Sequence, residues 1–552
     1  MQFDVTSLTH RRADNPWDRL AIGDISKRMT WSFPQQEALI SWEGARAYEE
    51  NARLTYKELD DKANQFANAL LEKGLQRADK IFMFALNSAE YFISQIGAAK
   101  AGIVMVPVNV MIAQDVIQYI IEQTEPKFTL IDAQFYSKLK YFFEHNLLAP
   151  GVTIPLGGEI MPGGISFSKF ISGKSKKEPE VNIHADDIVE ILYTAGTTAM
   201  PKGVMLSHLY LYMTSLSHAL THSRGAGVLT EWDYRHGIYY PIFHIAAQGM
   251  LLSTLVTGGT SVMTRMPVAK HMVETMSEER LTAVFGGPVD YARIARLYED
   301  NPQKYATDYL RIGSCGWGPM DPEVDKKLRS LFGKDLILLS YDGQTECVYD
   351  TRGWHHKFYE KYEENAPAAN YLGVSHPFYA TRIVDSDMNT APRGQTGEKV
   401  MQSPCMMAGY YKDKQGTREA FRGGWFHGGD ACRYDEDGDL IMTDRIKDII
   451  KSRGENISTI RVESVIKTHP QVEMAAVFGV PDKKQGEAVV AAVVSHSGEG
   501  LTEAEVLKFC RKKLANYETP RKVLFVEELP ISVGSKVQKF KLREWYKDLF
   551  QE

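Results

Sequence analysis

The sequence has little cysteine and no long apolar run. It contains five cysteines in 552 residues, none in a C-x-x-C pair, so we expect neither a disulfide framework nor a cysteine zinc site. No apolar stretch approaches the roughly 20 residues needed to cross a bilayer. The N-terminus lacks the basic start and apolar core of a secretory signal. These absences favour a soluble protein in a reducing, cytoplasmic compartment.

The chain also lacks an excess of positive charge. Lys plus Arg number 64 and Asp plus Glu number 70, which leaves a formal net charge of −6. Nucleic-acid binding along a whole chain needs a basic excess, so we expect no nucleic-acid partner. Hydrophobic residues are 44% and charged residues 24%, proportions typical of globular proteins with sizeable cores. The length allows about two to four structural units.

Helical and strand patterns alternate between residues 54 and 110. Thr55, with Glu58 three residues later, predicts a capping box at the start of a helix. Residues 80–86 form a near-continuous apolar run, typical of a strand that is buried on both faces. A second helix and a strand at 103–107 follow. This alternation predicts βαβ units around a parallel sheet, and hence an α/β fold.

The pattern changes after about residue 447, where a basic segment precedes a compact α+β succession. The predicted elements are a helix near 460–468, strands at 473–479 and 488–494, a helix at 502–514 and a strand at 522–527. We therefore place a domain boundary at 445–448.

Two stretches resemble well-known sites but lack key residues. Gly173-Lys174-Ser175 has the ending of a Walker A motif, but serine stands where that motif requires its first glycine. Residues 151–182, which are rich in Gly, Pro, Ser and Lys, are interpreted as a surface connection. The acidic string at 435–439 lacks the glycine and glutamate spacing of a calcium loop, so a hairpin turn is predicted there.

The most informative stretch is residues 191–203, where an apolar strand leads into a loop of Gly, Thr and Ala followed by Pro-Lys-Gly. Small residues let successive backbone N–H groups converge on an anion. The threonine hydroxyls and Lys202 add donors and charge. Taken alone, this stretch supports a phosphate-binding loop and an ordinary hydroxyl-rich turn equally.

Four further stretches carry a family resemblance. They are Ser-Tyr-Asp-Gly-Gln-Thr-Glu at 340–346, Gly-Gly-Trp-Phe-His-Gly-Gly-Asp at 423–430, Thr-Asp-Arg-Ile-Lys-Asp-Ile-Ile-Lys-Ser-Arg-Gly-Glu-Asn at 443–456, and Leu-Pro-Ile-Ser-Val-Gly-Ser-Lys-Val-Gln-Lys-Phe-Lys-Leu-Arg at 529–543. In this order and spacing, and with the 191–203 stretch, they strongly resemble the adenylate-forming superfamily. That superfamily comprises acyl-CoA synthetases, peptide-synthetase adenylation domains and firefly luciferase. The resemblance covers nearly the whole chain.

The resemblance implies an ATP-dependent, AMP-forming acyl-CoA ligase. A carboxylate attacks the α-phosphate of ATP, pyrophosphate leaves, and the acyl group passes to CoA, with Mg²⁺ as the metal. A large multi-sheet N-terminal domain, 1–446, holds ATP and acid. A small α+β domain, 447–552, supplies a lysine and then rotates about a hinge. Such chemistry needs positioning and positive potential rather than a protein nucleophile.

The family's site residues are carried over to the positions that match its motifs. The phosphate loop comprises Thr194, Ala195, Gly196, Thr197, Thr198 and Lys202. The catalytic positions are Lys536, which reaches the reacting carboxylate and α-phosphate, Glu346, the magnesium ligand, and Thr345, a phosphate contact. The other ATP-binding positions are Trp317, Gly318, Pro319, Tyr341, Asp342, Gly343, Gln344 and the ribose contacts Asp430 and Arg445. Each of these residues also has an interpretation that does not depend on the motif match. Glu346 would then be a charge at a helix N-terminus, and Asp430 and Arg445 would form a surface ion pair. Lys536 would belong to a solvated face.

The sequence departs from the family at three positions that bear on ATP. Ala195 and Ala199 replace the usual Ser and Gly of the loop, so we expect weaker holding of the phosphates. Asp342 replaces an aromatic residue that stacks on adenine in the family, and an aspartate cannot stack. We interpret Trp317 as the substitute aromatic surface. Packing in the core, or narrowing of the acyl pocket, is an equally supported alternative for Trp317.

The acyl pocket is predicted from His244, Gly316 and Gly343. Phe243-His244 resembles the family's aromatic–His pair near the substrate carboxylate. Amino-acid-activating relatives carry an Asp at position 244, which binds the ammonium group of the substrate. His244 is neutral or cationic near pH 7 and cannot take that role, so we expect no amino-acid substrate. Acetate-specific relatives carry Trp at position 343. The two glycines therefore favour a medium-chain, branched or aromatic acid over acetate.

The hinge is predicted at Lys447, two residues after Arg445. In the family's second conformation, the segment around Gly454 shapes the tunnel for the pantetheine arm of CoA. Lys451 and Arg453 carry charges that suit the CoA phosphates. An exposed basic turn is the alternative for this segment.

Two other functions fit the same motifs. The acyl-AMP could pass to a carrier-protein thiol, or be oxidised as in luciferase. A non-catalytic nucleotide-binding paralogue is the other alternative, and the departures in the ATP site would be its marks of decay. Retention of the catalytic and ribose-binding positions argues against that paralogue. The sequence leaves the acid, the pathway and the oligomeric state open, with a homodimer as the alternative to a monomer.

Overall fold

The structure is a computed structural model that describes residues 20–194, 200–223, 233–355, 357–366, 368–452, 455–483, 485–496, 500–531 and 537–550. The strands in the first half are β1 (Glu37–Ser41), β2 (Arg53–Thr55), β3 (Lys80–Phe84), β4 (Val104–Pro107), β5 (Phe128–Asp132), β6 (Val152–Ile154), β7 (Ile165–Ser166), β8 (Ile188–Thr194), β9 (Lys202–Ser207), β10 (Arg235–Ile238), β11 (Thr260–Met263) and β12 (Ala283–Gly286). The later strands are β13 (Ile312–Cys315), β14 (Ile337–Gln344), β15 (Cys347–Trp354), β16 (Asn370–Ser375), β17 (Ala380–Val384), β18 (Gly397–Gln402), β19 (Gly409–Tyr410), β20 (Phe426–Tyr434), β21 (Leu440–Arg445), β22 (Ile450–Ser452), β23 (Glu455–Ile457), β24 (Val472–Asp482), β25 (Gly486–Ser495) and β26 (Lys522–Phe525). The helices are α1 (Gly23–Ser32), α2 (Tyr56–Glu72), α3 (Ala89–Lys100), α4 (Gln114–Thr124), α5 (Tyr136–Glu144), α6 (Phe167–Ile171), α7 (His208–Ser223), α8 (Ile245–Val256), α9 (Ala269–Glu278), α10 (Pro288–Asp300), α11 (Pro322–Phe332), α12 (Tyr359–Asn365), α13 (Lys414–Ala420), α14 (Thr459–Lys467), α15 (Glu503–Arg511) and α16 (Lys539–Trp545).

Local sequence explains where the first elements begin. The capping box predicted at the start of α2 is confirmed, because the Glu58 N–H donates to the Thr55 hydroxyl at 3.2 Å and the Thr55 N–H donates to the Glu58 carboxylate at 2.9 Å. Leu59 and Phe66 of this helix are fully buried, on the face that the 3.6-residue period predicts. The apolar run predicted as a buried strand forms β3.

The predicted α/β fold class is confirmed, with a large multi-sheet N-terminal part and a smaller C-terminal part. The largest sheet has 13 strands in the order β17-β18-β20-β21-β16-β15-β14-β13-β12-β10-β11-β1-β2. The pairs from β1–β11 to β13–β14 are parallel, and the pair β14–β15 is antiparallel. The carboxyl ends of β12, β13 and β14 therefore meet at one edge, which is where ligands bind in open α/β sheets.

A second sheet of 8 strands has the order β19-β9-β8-β4-β3-β5-β6-β7. It corrects the interpretation of residues 151–182 as a surface connection, because β6, β7 and α6 lie there and Phe167 and Phe170 are buried in the main core. The Gly- and Pro-rich composition marks the turns between these short elements. Lys174 forms an exposed ion pair with Glu72, in keeping with the rejection of a Walker A site.

The C-terminal part has its own sheet, in the order β23-β22-β25-β24 with β26 beside β25. A separate apolar cluster packs against this sheet, and it includes Val462, Val477 and Ala491. The α+β succession predicted after residue 447 is present, except that the helix predicted to reach 514 ends at Arg511.

The hairpin predicted at 435–439 connects β20 to β21. The Asp435 N–H donates to the Asp439 carbonyl at 2.9 Å, and the ammonium of Lys361 lies within 3.1 Å of a carboxylate oxygen of each of Asp435, Asp437 and Asp439. The acidic string is therefore balanced in part by a lysine. Over the described ranges, no helix combines the length and apolar character that crossing a membrane would need.

Candidate active site

Most of the described site residues lie at the carboxyl edge of the parallel strands. Gly316 and Trp317 follow β13 directly, Asp342 and Gln344 end β14, and His244 follows β10 and precedes α8. Register places Gly286, Cys315 and Ser340 side by side on β12, β13 and β14. Segments that are far apart in the sequence are therefore brought together by strand order alone.

The phosphate-loop motif lies between two antiparallel strands rather than between a strand and a helix. Thr194 ends β8 and is paired with Lys202, the first residue of β9. Ala195, Gly196, Thr197 and Thr198 lie outside the described residues. The Lys202 ammonium lies 4.5 Å from the centre of the Tyr410 ring and 4.0 Å from a carboxylate oxygen of Asp413. The lysine is thus held beside the site by a cation–π contact.

Glu346 is held by contacts on both its side chain and its backbone. The Tyr410 hydroxyl donates to its carboxylate at 2.9 Å, and its carbonyl accepts from the Met407 N–H at 2.9 Å. The preceding carbonyl, of Thr345, accepts from the Tyr210 hydroxyl at 2.8 Å. Burial raises the pKa of Glu346 above its ordinary value, while the Tyr410 hydroxyl and the charges of Arg445 and Lys202 oppose that rise.

Glu346 fits the magnesium role as a single hard oxygen donor. Within the part of the chain that the structure describes, no three His, Cys, Asp or Glu side chains converge as a metal cage. Mg²⁺ usually binds through one or two carboxylates together with substrate phosphates and water. Glu346 and Lys202 both contact Tyr410, so a carboxylate and an ammonium lie on the same part of the site, as such a shared site needs.

The two predicted ribose contacts form an ion pair whose carboxylate is buried, rather than a surface pair. Asp430 on β20 and Arg445 on β21 are cross-strand neighbours, and the Arg445 Nε lies 2.8 Å from the Asp430 Oδ1. Asp430 is 1% exposed. The charge of Asp430 raises the pKa of Arg445. Sheet register therefore explains why these two motif positions lie in contact.

Asp342 has a charged partner that the motifs did not reveal. The ammonium of Lys399, on β18, donates to Asp342 and, at 2.8 Å, to Asp350, and lies 3.7 Å from Asp430. Burial alone would raise the pKa of Asp342, but the charge of Lys399 holds it below its ordinary value. Burial raises the pKa of Asp350, and the charge of Asp342 adds to that rise.

Sequence reasoning missed Lys399 and Tyr410. The sequence did contain an indication of Lys399. This lysine lies next to apolar residues of a strand, which indicates burial, and a buried Asp342 needs a positively charged partner. Tyr410 follows the glycine of a two-residue strand, β19, that pairs with β9, and nothing in its local pattern marks it.

Trp317 is partly exposed and has an unusual backbone. Its φ is +67° and its side chain is 38% exposed, a conformation that costs a bulky residue roughly 1–3 kcal/mol. The indole packs edge-on against Tyr240 and Phe285, with ring centres 4.5 and 4.8 Å away. Edge contacts of this kind leave part of the indole surface open, as stacking on a base requires.

If Trp317 stacks on adenine, Trp317→Ala should raise the KM for ATP about fivefold, because an aromatic face contributes about 1 kcal/mol beyond area burial. The KM for the acid should change less. Pyrophosphate exchange measured against both substrates tests this. An unchanged KM for ATP with a preference for longer acids would make Trp317 a wall of the acyl pocket.

Gly343 has a backbone reason to be glycine. Its φ is +151°, and a Cβ there would lie 2.7 Å from the Tyr349 nitrogen and 2.9 Å from the Val348 Cα. The register of β14 and β15 shifts between Asp342 and Gly343. The backbone of residues 347–349 thus explains why position 343 is glycine, without reference to an acyl group. A bulky side chain at 343 would clash with that backbone before it could reach an acyl pocket.

We therefore expect Gly343→Ala to destabilise the fold by about 1–3 kcal/mol, since the backbone at 347–349 cannot yield as a flexible side chain can. Chemical denaturation of the variant and the wild type measures this difference. Gly333→Ala is a matched control at a positive φ of +104° with no atom near its Cβ position. Equal stability losses in the two variants would show that crowding at 343 contributes nothing.

The predicted acyl-pocket residues adjoin an aromatic wall. A Cβ at Gly316 would lie 2.9 Å from the Phe285 ring. His244 precedes α8, and its ring centre is 5.0 Å from that of Phe243. Burial lowers the pKa of His244 to about 4, so this imidazole is neutral at pH 7. Among the described residues, its Nε2 has no hydrogen-bond partner.

The remaining positions predicted to bind ATP differ in their exposure. The Gln344 amide donates to the Gly428 carbonyl at 3.3 Å, which ties the motif at 340–346 to the one at 423–430. Gly318 and Pro319 follow Trp317, and a Cβ at Gly318 would meet only Pro288, at 3.8 Å. Tyr341 is 5% exposed, with its ring among core aromatic residues, so only its backbone is left for contact with a nucleotide.

The predicted hinge region is tied to two helices of the C-terminal part. The Thr459 hydroxyl donates to Asp444 at 2.8 Å, and Arg543 donates to Asp448 at 2.7 Å. Lys447 lies between these two aspartates in the sequence, and loss of hydration at this junction lowers its pKa. Lys451 is exposed on β22. Arg453, Gly454 and the predicted catalytic Lys536 lie outside the described residues.

Comparison with known proteins gives consistent matches along the chain. Residues 30–411 match the family described as AMP-binding enzyme, and residues 461–536 match the AMP-binding enzyme C-terminal domain. The 4-hydroxybutyrate–CoA ligase 2 of Metallosphaera sedula is 29% identical, covering 89% of this chain and 90% of that protein. A feruloyl-CoA synthase of Amycolatopsis is also 29% identical, covering 93% and 98%. The crystal structure of ATP-bound MatB from Rhodopseudomonas palustris superposes with a TM-score of 0.80 at 26% identity, covering 96% of this chain and 99% of that one.

Proposed function

This chain belongs to the AMP-binding enzyme family and is an AMP-forming acid–CoA ligase, and we propose that its substrate is a medium-chain, branched or aromatic carboxylic acid. The reaction has two steps. ATP and the acid give acyl-AMP and pyrophosphate, and CoA then displaces AMP to give the acyl-CoA. The relatives named for 4-hydroxybutyrate and feruloyl groups both act on acids larger than acetate, which supports this substrate class.

The observation that carries the proposed site is the position of Tyr410 between two distant motifs. Its ring faces the Lys202 ammonium and its hydroxyl donates to Glu346. A phosphate chain that lies along Lys202 would thus end near the Glu346 carboxylate, a hard oxygen donor suited to a magnesium ion. Positive charge placed before the reaction stabilises the charge that builds up on leaving pyrophosphate.

Each group then has a defined task in the first step. Lys202 and the loop hold the β- and γ-phosphates, Asp430 accepts from the ribose hydroxyls, and Arg445 fixes that carboxylate. Bound at Glu346, Mg²⁺ would neutralise phosphate charge. His244, neutral at pH 7, can donate one hydrogen bond to the substrate carboxylate without forming an ion pair that would hold it back from attack.

ATP–pyrophosphate exchange with a panel of acids tests the proposal. We expect exchange with acids such as octanoate, isovalerate, benzoate or a hydroxycinnamate, and little with acetate or amino acids. Thioester formation on adding CoA then separates a CoA ligase from an enzyme that charges a carrier protein. No exchange with any acid would leave the non-catalytic paralogue as the explanation.

We also propose a cytoplasmic location without nucleic-acid or membrane partners. All five cysteines are free and buried, which suits a reducing compartment. Cell fractionation tests the location. Sedimentation at several protein concentrations distinguishes a monomer from a homodimer.

A further inference from the structure

Lys399 is a buried cation that the adenylation chemistry described above does not use. It is 0% exposed, on a strand between β17 and β20 of the large sheet. Burial of an ammonium is costly unless charged partners surround it. Three carboxylates, from Asp342, Asp350 and Asp430, do so. These side chains come from three different strands, so the cluster is assembled only by the folded sheet.

The cluster bears on Asp430 from two sides. Arg445 approaches the Asp430 Oδ1 at 2.8 Å, and Lys399 approaches the Oδ2 at 3.7 Å. Because a cation lies beside each of its oxygens, the Asp430 carboxylate is held in one orientation. The lone pairs that remain free to accept hydrogen bonds are then also fixed in direction. Accepting hydrogen bonds from two vicinal hydroxyl groups requires such a fixed orientation.

We propose that Lys399 is a positioning residue for ribose recognition. It holds Asp430 in the orientation that accepts both ribose hydroxyls, and Asp342 and Asp350 anchor Lys399 in turn. Asp342 thus acts as an anchor of this lysine and not as a contact to the base. The inference rests on the proposed function, because it takes Asp430 as the ribose-binding carboxylate.

The test compares ATP with 2′-deoxy-ATP in pyrophosphate exchange by Lys399→Met, which keeps the side-chain length and removes the charge. The KM for ATP should rise about tenfold with kcat within about twofold, the size expected for one weakened charge-assisted hydrogen bond. The KM for 2′-deoxy-ATP, which lacks one of the two hydroxyls, should rise much less. Discrimination between the nucleotides should therefore fall. Lys399→Arg should restore part of it.

Lys361→Met is a matched control, because Lys361 is also held by three carboxylates but at the hairpin between β20 and β21. It should leave discrimination unchanged. If Lys399→Met does not fold, the double variant Lys399→Met/Asp350→Asn keeps the cluster's net charge and should show the same loss of discrimination. Equal losses for both nucleotides in a folded variant would overturn the positioning role. A wild type without exchange activity would instead overturn the proposed function.

Discussion

We expect Lys536→Ala to reduce adenylation by about 100- to 1,000-fold and to leave thioester formation from supplied acyl-AMP unchanged. Removal of one preorganised group that stabilises developing charge typically costs several kcal/mol in the transition state. The register of Lys536 with the family's lysine motivates the prediction. It also implies that this lysine serves only the step in which the carboxylate meets the α-phosphate.

The surroundings of Lys536 allow a clean experiment. The described residues on either side, Ile531 and Val537, form an antiparallel bridge, and Lys539 is anchored to Glu463 at 2.8 Å. The small domain should therefore keep its fold without the Lys536 side chain. Pyrophosphate exchange measures the first step, and CoA consumption with synthetic acyl-AMP measures the second.

Lys547→Ala is a suitable control for that experiment. Lys547 lies on the same C-terminal segment, and its side chain is 52% exposed and paired with Glu544. Neither half-reaction should change in this variant. Equal losses of both half-reactions in Lys536→Ala would show that Lys536 does not serve adenylation alone.

The sequence was sufficient for the features that depend on local pattern or on ordered motifs. The capping box at Thr55, the buried strand β3 and the hairpin at 435–439 follow from neighbouring residues, whose conformations are set by nearby hydrogen bonds. The α/β class follows from the alternation of elements. The pairing of Asp430 with Arg445 agrees with the roles that the motifs assign. The two residues are brought together by the register of one strand pair, β20 and β21.

The features that the sequence did not predict depend on contacts across the sheets. Lys399 meets Asp342 only because β18 and β14 belong to one sheet, and Tyr410 lies beside Lys202 because β19 pairs with β9. Gly343 was interpreted through the substrate, whereas its Cβ position is filled by backbone. Tertiary contacts of this kind leave no periodic trace, so a motif shows which residues matter without showing what holds them.

Two contacts on either side of Lys447 bear on the proposed hinge. Asp444 lies near the end of β21 and receives the Thr459 hydroxyl, while Asp448 receives Arg543. If the small domain rotates about residue 447, Asp448 and Arg543 move together and their contact persists. The contact between Asp444 and Thr459 crosses the hinge and must break. The Ser458 hydroxyl also donates to the Thr443 carbonyl, and the Thr459 N–H donates to Asp444. Rotation thus exchanges these three hydrogen bonds for contacts made in the second orientation.

Lys447→Pro should therefore retain pyrophosphate exchange within about threefold and reduce CoA-ester formation about 100-fold, because a hinge acts through backbone torsions that proline restricts. Proline fixes φ at 447 and disfavours helical torsions at Ile446. Among the backbone hydrogen bonds of the described residues, those around the hinge are donated by Ile446, Asp448 and Ile449 and not by Lys447. The substitution therefore restricts the backbone at 447 without removing any of these hydrogen bonds.

Lys447→Ala separates the backbone from the side chain in this test, since it removes the ammonium and leaves both torsions free. It should keep most of the CoA-ester formation that Lys447→Pro loses. Single-turnover measurements of the two steps, with acid and ATP first and CoA added afterwards, resolve the difference. Similar losses in both variants would assign the effect to the lysine side chain. Normal turnover in Lys447→Pro would place the rotation at another residue, because a torsion fixed at the hinge cannot leave a hinge-dependent step unaffected.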